Sequence, residues 1–184
     1  MINKNLENVL REILLRLEDK NIKWALVGST ASALQNLRIN PRDIDIITDK
    51  NGSYKIEKLL LDYRIQPIKF RRTHQYSSYF GLFRINSIDV EVMGNLLILY
   101  RDIKFDYSPK SSLIKKIRFE HYVVPVVSLE NQLIANLLIE GQKERVYKLA
   151  NHLKRHGASE RYFLNLRKRE GMKEVVERAR SLLR

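Results

Sequence analysis

The chain contains no cysteine. Disulfides, thiolate metal sites and cysteine nucleophiles are therefore excluded, and a cytoplasmic location is expected. No apolar run approaches the roughly 18 residues of a membrane-spanning helix, so no membrane association through a span is expected. The opening MINKNLENVL lacks the basic-then-apolar order of a secretory leader. Internal repeats and low-complexity linkers are absent as well. Acidic side chains are scarce: 21 Asp and Glu face 34 Lys and Arg, for a formal net charge of +13. Such an excess favours polyanionic partners, whether nucleic acid, nucleotide phosphates or an anionic surface, but it speaks to association and not to fold.

Hydrophobic residues make up 44% of the 184, enough to bury a core. Residues 5–20 place Leu6, Val9, Leu10, Ile13, Leu14 and Leu17 at helical spacing, which predicts an amphipathic helix. IKWALVG reads as a buried strand ending at Gly28, and STASALQNL as a helix capped at Ser29 or Thr30. Pro41 makes INPRD a turn, DIDIIT reads as a strand, and DKNG reads as a turn before a helix capped by Ser53. IQPIKF, YSSYFGLFRI and SIDVEVM predict three strands. Residues 113–127 predict one or two more, with Pro125 arguing for a sheet edge. From Ser128 the pattern is helical, in four helices broken near Gly141, Gly157 and Gly171. The expected class is α+β: a small mixed sheet flanked by helices over 1–127, then a helical region over 128–184.

Within DIDIIT, Asp43 and Asp45 point to one face of the strand, because side chains alternate. Two adjacent carboxylates repel, and one stays protonated unless a cation neutralises the pair. Oxygen ligands of this kind suit Mg²⁺ or Mn²⁺. The alternative is an edge strand whose acids face water and pair with Arg or Lys. Upstream, Gly28 and Ser29 sit where a strand passes into a helix, and free N–H groups at a helix start attract phosphate. In SIDVEVM, Asp89 and Glu91 share one face while Ile88, Val90 and Val92 take the other. A phosphate cradle, a carboxylate pair and a further strand carboxylate together describe a metal–nucleotide site.

Val27-Gly28-Ser29, thirteen intervening residues, Asp43-Ile44-Asp45-Ile46 and a later Ile88-Asp89-Val90 resemble the signature of the nucleotidyltransferase superfamily, with its polymerase-β-like fold. The resemblance covers roughly residues 22–93. It is nearest in layout to small antibiotic-type and minimal nucleotidyltransferases, including toxin-like relatives that modify tRNA. It implies that Gly28 and Ser29 form the triphosphate-binding turn and that Asp43 and Asp45 bridge the metals. It further implies that Asp89 is the third carboxylate, a metal ligand and base toward the acceptor hydroxyl, with Glu91 as rival for that place and as a further candidate ligand. Arg42, just before the acid pair, is a candidate triphosphate contact or simply a surface cation. Gly-Ser stands where tight nucleotide binders of the family often have Gly-Gly.

Other motifs carry less. TDKNGSYKIEK fails as a calcium loop, because Ile47 and Lys58 would occupy the first and last ligand slots. HLKRH places His152 and His156 four apart, but it lacks the Glu of a zinc-protease helix and is flanked by Lys154 and Arg155. KFRRTHQYSSYF interleaves cations with aromatics, which suits phosphate contact and base stacking, or else a strand pair with aromatics inward and cations outward. The expected function is transfer of a nucleoside monophosphate from an NTP to an acceptor hydroxyl, with tRNA or another RNA expected over a small aminoglycoside-like acceptor. The alternative is a nucleic-acid- or partner-binding module on the same fold with little catalysis. A metal-dependent nuclease shares the carboxylate chemistry but does not explain Gly28-Ser29. The nucleotide, the acceptor and the oligomeric state stay open.

Overall fold

The computed structural model describes residues 2–184. Eight strands form one mixed sheet in the order β3-β4-β5-β2-β1-β8-β7, with β6 paired to β5. The strands are β1 (Trp24–Val27), β2 (Asp43–Thr48), β3 (Arg64–Arg72), β4 (Tyr76–Ile85), β5 (Ile88–Tyr100), β6 (Ile103–Asp106), β7 (Ile114–Phe119) and β8 (Tyr122–Val127). The helices are α1 (Lys4–Leu17), α2 (Gly28–Leu34), α3 (Lys50–Leu59), α4 (Leu129–Leu138), α5 (Lys143–His156), α6 (Glu160–Arg167) and α7 (Met172–Leu183). Mixed pairing follows from the connections: β1 and β2 run antiparallel across α2, while β2 pairs in parallel with β5. Among the described residues no helix is long and apolar enough to cross a membrane.

The two sheet faces carry two cores. Leu26, Ile44, Ile46, Val90 and Val92 pack against the apolar stripe of α1, with Leu6, Leu10 and Ile13 fully buried. On the other face Ala25, Val27 and Ile47 meet the helices after Ser128, including Leu133, Leu149, Phe163 and Val176. Ser128 itself caps α4, its hydroxyl accepting from the Asn131 amide at 3.2 Å. These alternating faces place the odd-numbered residues of β2, Asp43 and Asp45, toward α4 and α5 rather than toward α1.

The structure departs from the sequence expectations in several places. α2 starts at Gly28 after Val27 with no side-chain cap, because the Ser29 and Thr30 hydroxyls bond Asp43 instead. β6 forms in a stretch for which no element was expected. DKNG is not a turn: Asp49 is the N-cap of α3, accepting from the Gly52 amide at 2.6 Å, and Ser53 lies inside the helix with its hydroxyl bonded to the Lys50 carbonyl. The cap satisfies a free helical N–H, which a loose turn would leave to water. Pro125 is not on an edge, since β8 lies between β7 and β1. The β1–β8 ladder is confined to the Leu26–Val126 pair, so a missing N–H at Pro125 disrupts little. Finally, β5 does not stop at Met93. It continues through a bulge at Asn95, where φ is +49° and the register against β4 slips between Ser77 and Tyr79. The extra residue reverses the alternation, so Leu96 and Ile98 join Met93 and Glu91 on the same side.

Asp49→Ala removes the α3 cap while changing an exposed side chain, and should lower unfolding free energy by about 1 kcal/mol. Urea denaturation measures this, and an unchanged midpoint would return the segment to a simple turn.

Candidate active site

The parallel register sets Asp43 beside Asp89 and Asp45 beside Glu91 on adjacent strands. All four carboxylates therefore leave the sheet on one face. β2 is a central strand, which rules out the edge-strand alternative for Asp43 and Asp45. A cavity of about 450 Å³ opens on this face, between the sheet and α4–α5. Asp45 and Glu91 line it, whereas Asp43 and Asp89 do not. Phe80, Met93, Leu96, Ile98 and Tyr107 make its apolar side, and Leu96 and Ile98 reach it only because of the Asn95 bulge.

Each carboxylate has its own surroundings. Burial, then the charges of Asp43 and Glu91, push the Asp45 carboxyl up to about 8. Glu91 is raised as well, first by burial and then by Asp43 and Asp89. Asp43 is held from two sides: Ser29 donates its hydroxyl to Asp43 Oδ1 at 3.0 Å, and Thr30 bonds the Asp43 carbonyl at 2.6 Å. Asp89 is more open, and Arg84 on β4 donates from Nε to its Oδ1 at 2.6 Å. That hydrogen bond and charge hold Asp89 below the usual carboxylate range.

Gly28 lies against this acid cluster. Its φ is +72°, and a Cβ at that position would overlap the Asp45 carboxylate, mainly Oδ2. Both conditions restrict the position to glycine. Gly28 lines the cavity, while the neighbouring Ser29 is turned toward Asp43. Arg42 is exposed and is not part of the cavity wall.

One site residue escaped the sequence reading. Arg145, in the first turns of α5, lines the same cavity and favours ionisation of Asp45. Its Nε and Nη2 are buried with no hydrogen-bond partner among the described residues. A guanidinium presents its donors in a planar fork suited to carboxylate or phosphate, and leaving them unmet under burial is costly. Nothing local in KERVYKL distinguishes Arg145 from the surface cations around it. Arg71 also reaches the cavity wall, so KFRRTHQYSSYF contributes one cation there. Phe70 of that stretch is exposed and stacks near Tyr79 at 5.5 Å, so the stretch does not follow a plain aromatics-inward pattern.

Among the described residues, no three acidic or imidazole groups stand close enough to form a ready-made metal cage. A cage is not what the carboxylate chemistry requires. Mg²⁺ is commonly held by one or two carboxylates, with substrate phosphates and water completing its shell. Asp45 is raised first by burial and then by Asp43 and Glu91, and a cation beside it would offset both effects. The donor set thus fits a divalent cation at Asp43 and Asp45, whereas Asp89 can join only by leaving Arg84.

A mixed sheet with a glycine turn and a strand-borne acid pair is compatible with a nucleotidyltransferase, and similarity to known proteins shows that class. Residues 9–159 match the aminoglycoside-2''-adenylyltransferase family, and the chain belongs to that family. It is thus an enzyme of NTP-dependent nucleoside monophosphate transfer. TM1012 of Thermotoga maritima, assigned as a nucleotidyltransferase, is 28% identical with a TM-score of 0.66, covering 90% of this chain and 96% of that one. ANT(2'')-Ia, solved with adenylyl-2''-tobramycin, shares the fold at 11% identity and a TM-score of 0.56, covering 95% of this chain and 97% of its own. None of the curated proteins matches the chain.

The Asp45 shift has a sign that can be checked. Its folded pKa, about 8, lies above the ordinary 3.8, so the folded chain keeps a proton that the unfolded chain has lost. Stability should therefore fall as pH rises from about 4 toward about 8. In chelator, Asp45→Asn should flatten that decline and be the more stable protein at pH 8, by about 1 kcal/mol or more. Thermal unfolding across this range checks it. A variant that loses stability at pH 8 would make the Asp45 charge structural.

Proposed function

We propose that Asp43, Asp45 and Asp89 carry transfer of a nucleoside monophosphate from an NTP to an acceptor hydroxyl, with Gly28 and Arg145 binding the phosphates. The observation that carries this is the convergence of Gly28, Asp45, Glu91 and the unpartnered Arg145 guanidinium on one cavity. Asp43 and Asp45 would hold Mg²⁺ or Mn²⁺. When bound, the metal neutralises the acid cluster and stabilises charge on the phosphates. Ser29 orients the Asp43 carboxylate through its 3.0 Å hydrogen bond. Arg42, exposed and off the cavity wall, is left as a surface cation.

The acceptor oxygen attacks the α-phosphorus as the bond to the β-bridging oxygen breaks, and pyrophosphate leaves. The hydroxyl proton passes to a carboxylate. Asp89 takes it if substrate draws Arg84 away. Glu91, already raised in pKa and lining the cavity, is the rival base. A carboxylate whose pKa is raised is the stronger proton acceptor. Arg145 meets the negative charge that grows on the departing phosphates, an interaction strengthened by its enclosure.

For the acceptor, the net charge of +13 supports an RNA hydroxyl, tRNA foremost. The second reading is a small hydroxylated molecule. It is favoured by the size of the cavity and by the adenylyl-2''-tobramycin bound to ANT(2'')-Ia. The test is incubation with each α-labelled NTP and Mg²⁺ or Mn²⁺, offering total RNA and a panel of small hydroxylated compounds as separate acceptors.

Two variants examine the residues. Asp45→Asn should abolish transfer in a folded protein, since an amide keeps the volume and loses the charge; full activity would remove Asp45 from the chemistry. Arg145→Ala should weaken NTP binding by about tenfold or more, the loss expected for a charged hydrogen bond. Calorimetry with a nonhydrolysable NTP analogue reads this directly. Unchanged affinity would leave Arg145 without a phosphate role.

A further inference from the structure

A second basic site lies away from the reaction cavity, in a groove of about 330 Å³ between the end of α2 and the later turns of α5. Arg38, Lys148, His152, Arg155 and His156 line it, together with Asn36 and Asn151, and no carboxylate does. Arg38 and Arg155 are exposed and form no ion pair among the described residues; Lys148 keeps one, to Glu144 at 2.6 Å. The two imidazoles stack at 4.3 Å between centroids. Burial first, and then the charges of His156, Lys115 and Arg155, hold the His152 pKa down.

The helix C-termini do not account for this charge. Basic residues in the last turn of α5 complement its carbonyl end, and each helix end contributes about half a negative charge. Arg38 and Arg155 together already exceed that allowance from the two helices. Arg38 comes from the α2–β2 connection, and Lys148 lies mid-helix.

The groove is also connected to the reaction cavity by the same two helices. α2 starts at the cavity with Gly28, and the chain just past its end supplies Asn36 and Arg38 to the groove. Its seven residues span about 10 Å. α5 starts at the cavity with Arg145, and its later turns reach the groove. Positions 145, 148, 152 and 156 are spaced by three and four, so they form one stripe along the helix, with 155 beside it. His152 and His156 lie about 10 and 16 Å beyond Arg145 along the axis. Arg145, Lys148 and, beside the stripe, Arg155 therefore place cations at successive turns leading outward from the cavity.

We propose that this groove binds the phosphodiester backbone of an RNA whose reactive hydroxyl reaches the cavity. The acceptor role rests on the transferase function proposed above, while the anion site stands on the groove itself. A single small acceptor would occupy the cavity and leave the stripe unused. A backbone running along α5 would meet Arg38, Lys148 and Arg155 in turn, releasing a counterion at each contact.

The experiment is fluorescence anisotropy with a labelled single-stranded RNA of mixed sequence, titrated at several salt concentrations. Wild type is compared with Arg38→Ala/Arg155→Ala, and poly-glutamate serves as a second polyanion. Wild type should bind RNA with steep salt dependence. The double variant should bind about tenfold more weakly, with a log–log slope smaller by about one to two units. Its melting temperature and its affinity for the NTP analogue should match wild type. No RNA binding at low salt, an unchanged slope in the variant, or equal binding of poly-glutamate would each overturn the assignment. Failure of NTP binding in both proteins would instead count against the transferase function and leave the groove result intact.

Discussion

Three carboxylates crowded on one face of a parallel strand pair are the constraint around which this molecule is arranged. Asp43 and Asp45 leave β2 on the side that Glu91 leaves β5, and their mutual repulsion adds to the loss of water around Asp45. The fold holds them there because the opposite side of the same strands is apolar beside them. Ile44, Ile46, Val90 and Val92 are fully buried against α1. A one-residue slip of β2 against β5 would exchange the two faces, placing acids in the core and isoleucines in the cavity. The register is thus specified by the core, and the acid cluster is a consequence that the core tolerates.

Positive charge is brought to the cluster from distant parts of the chain. Arg145 arrives on α5 and Arg71 on the outer strand β3, while Arg84 on β4 takes Asp89 out of the cluster. The unmet donors of Arg145 and the raised carboxyl of Asp45 share one cavity without neutralising each other fully. Such a pairing is wasteful for stability, since a buried charge with unmet donors costs more than an apolar side chain would. The triphosphate and cation proposed above would meet both groups at once.

The helices after Ser128 turn an exposed sheet face into an enclosed one. They cover Val27 and Ile47, supply the α4 wall of the cavity, and carry Arg145 to it. Gln132 and Gln35 both donate to the Val127 carbonyl, at 3.0 and 2.9 Å, so α2 and α4 are tied to the same point on β8. The short helix bearing Gly28 is in this way fixed relative to the helix pair that closes the cavity.

The sequence by itself determined the type of most strands and helices, the common face of Asp43 and Asp45, and that of Asp89 and Glu91. Alternation in DIDIIT and SIDVEVM is local, and local periodicity survives in any register. Gly28 was equally visible, although its reason was not: the Asp45 carboxylate that excludes a Cβ lies seventeen positions away in the chain. Tertiary structure alone decided what the acids meet. Asp89 fell to Arg84 because antiparallel register sets those two residues opposite each other. Glu91 entered the cavity with Asp45 because parallel register did the same for them. The bulge at Asn95, whose side chain accepts from the Lys50 amide of α3, turned Leu96 and Ile98 to the cavity side. Arg145 was one cation among 34 Lys and Arg until packing removed water from its guanidinium. Burial is a property of the whole chain, and a string of residues does not carry it.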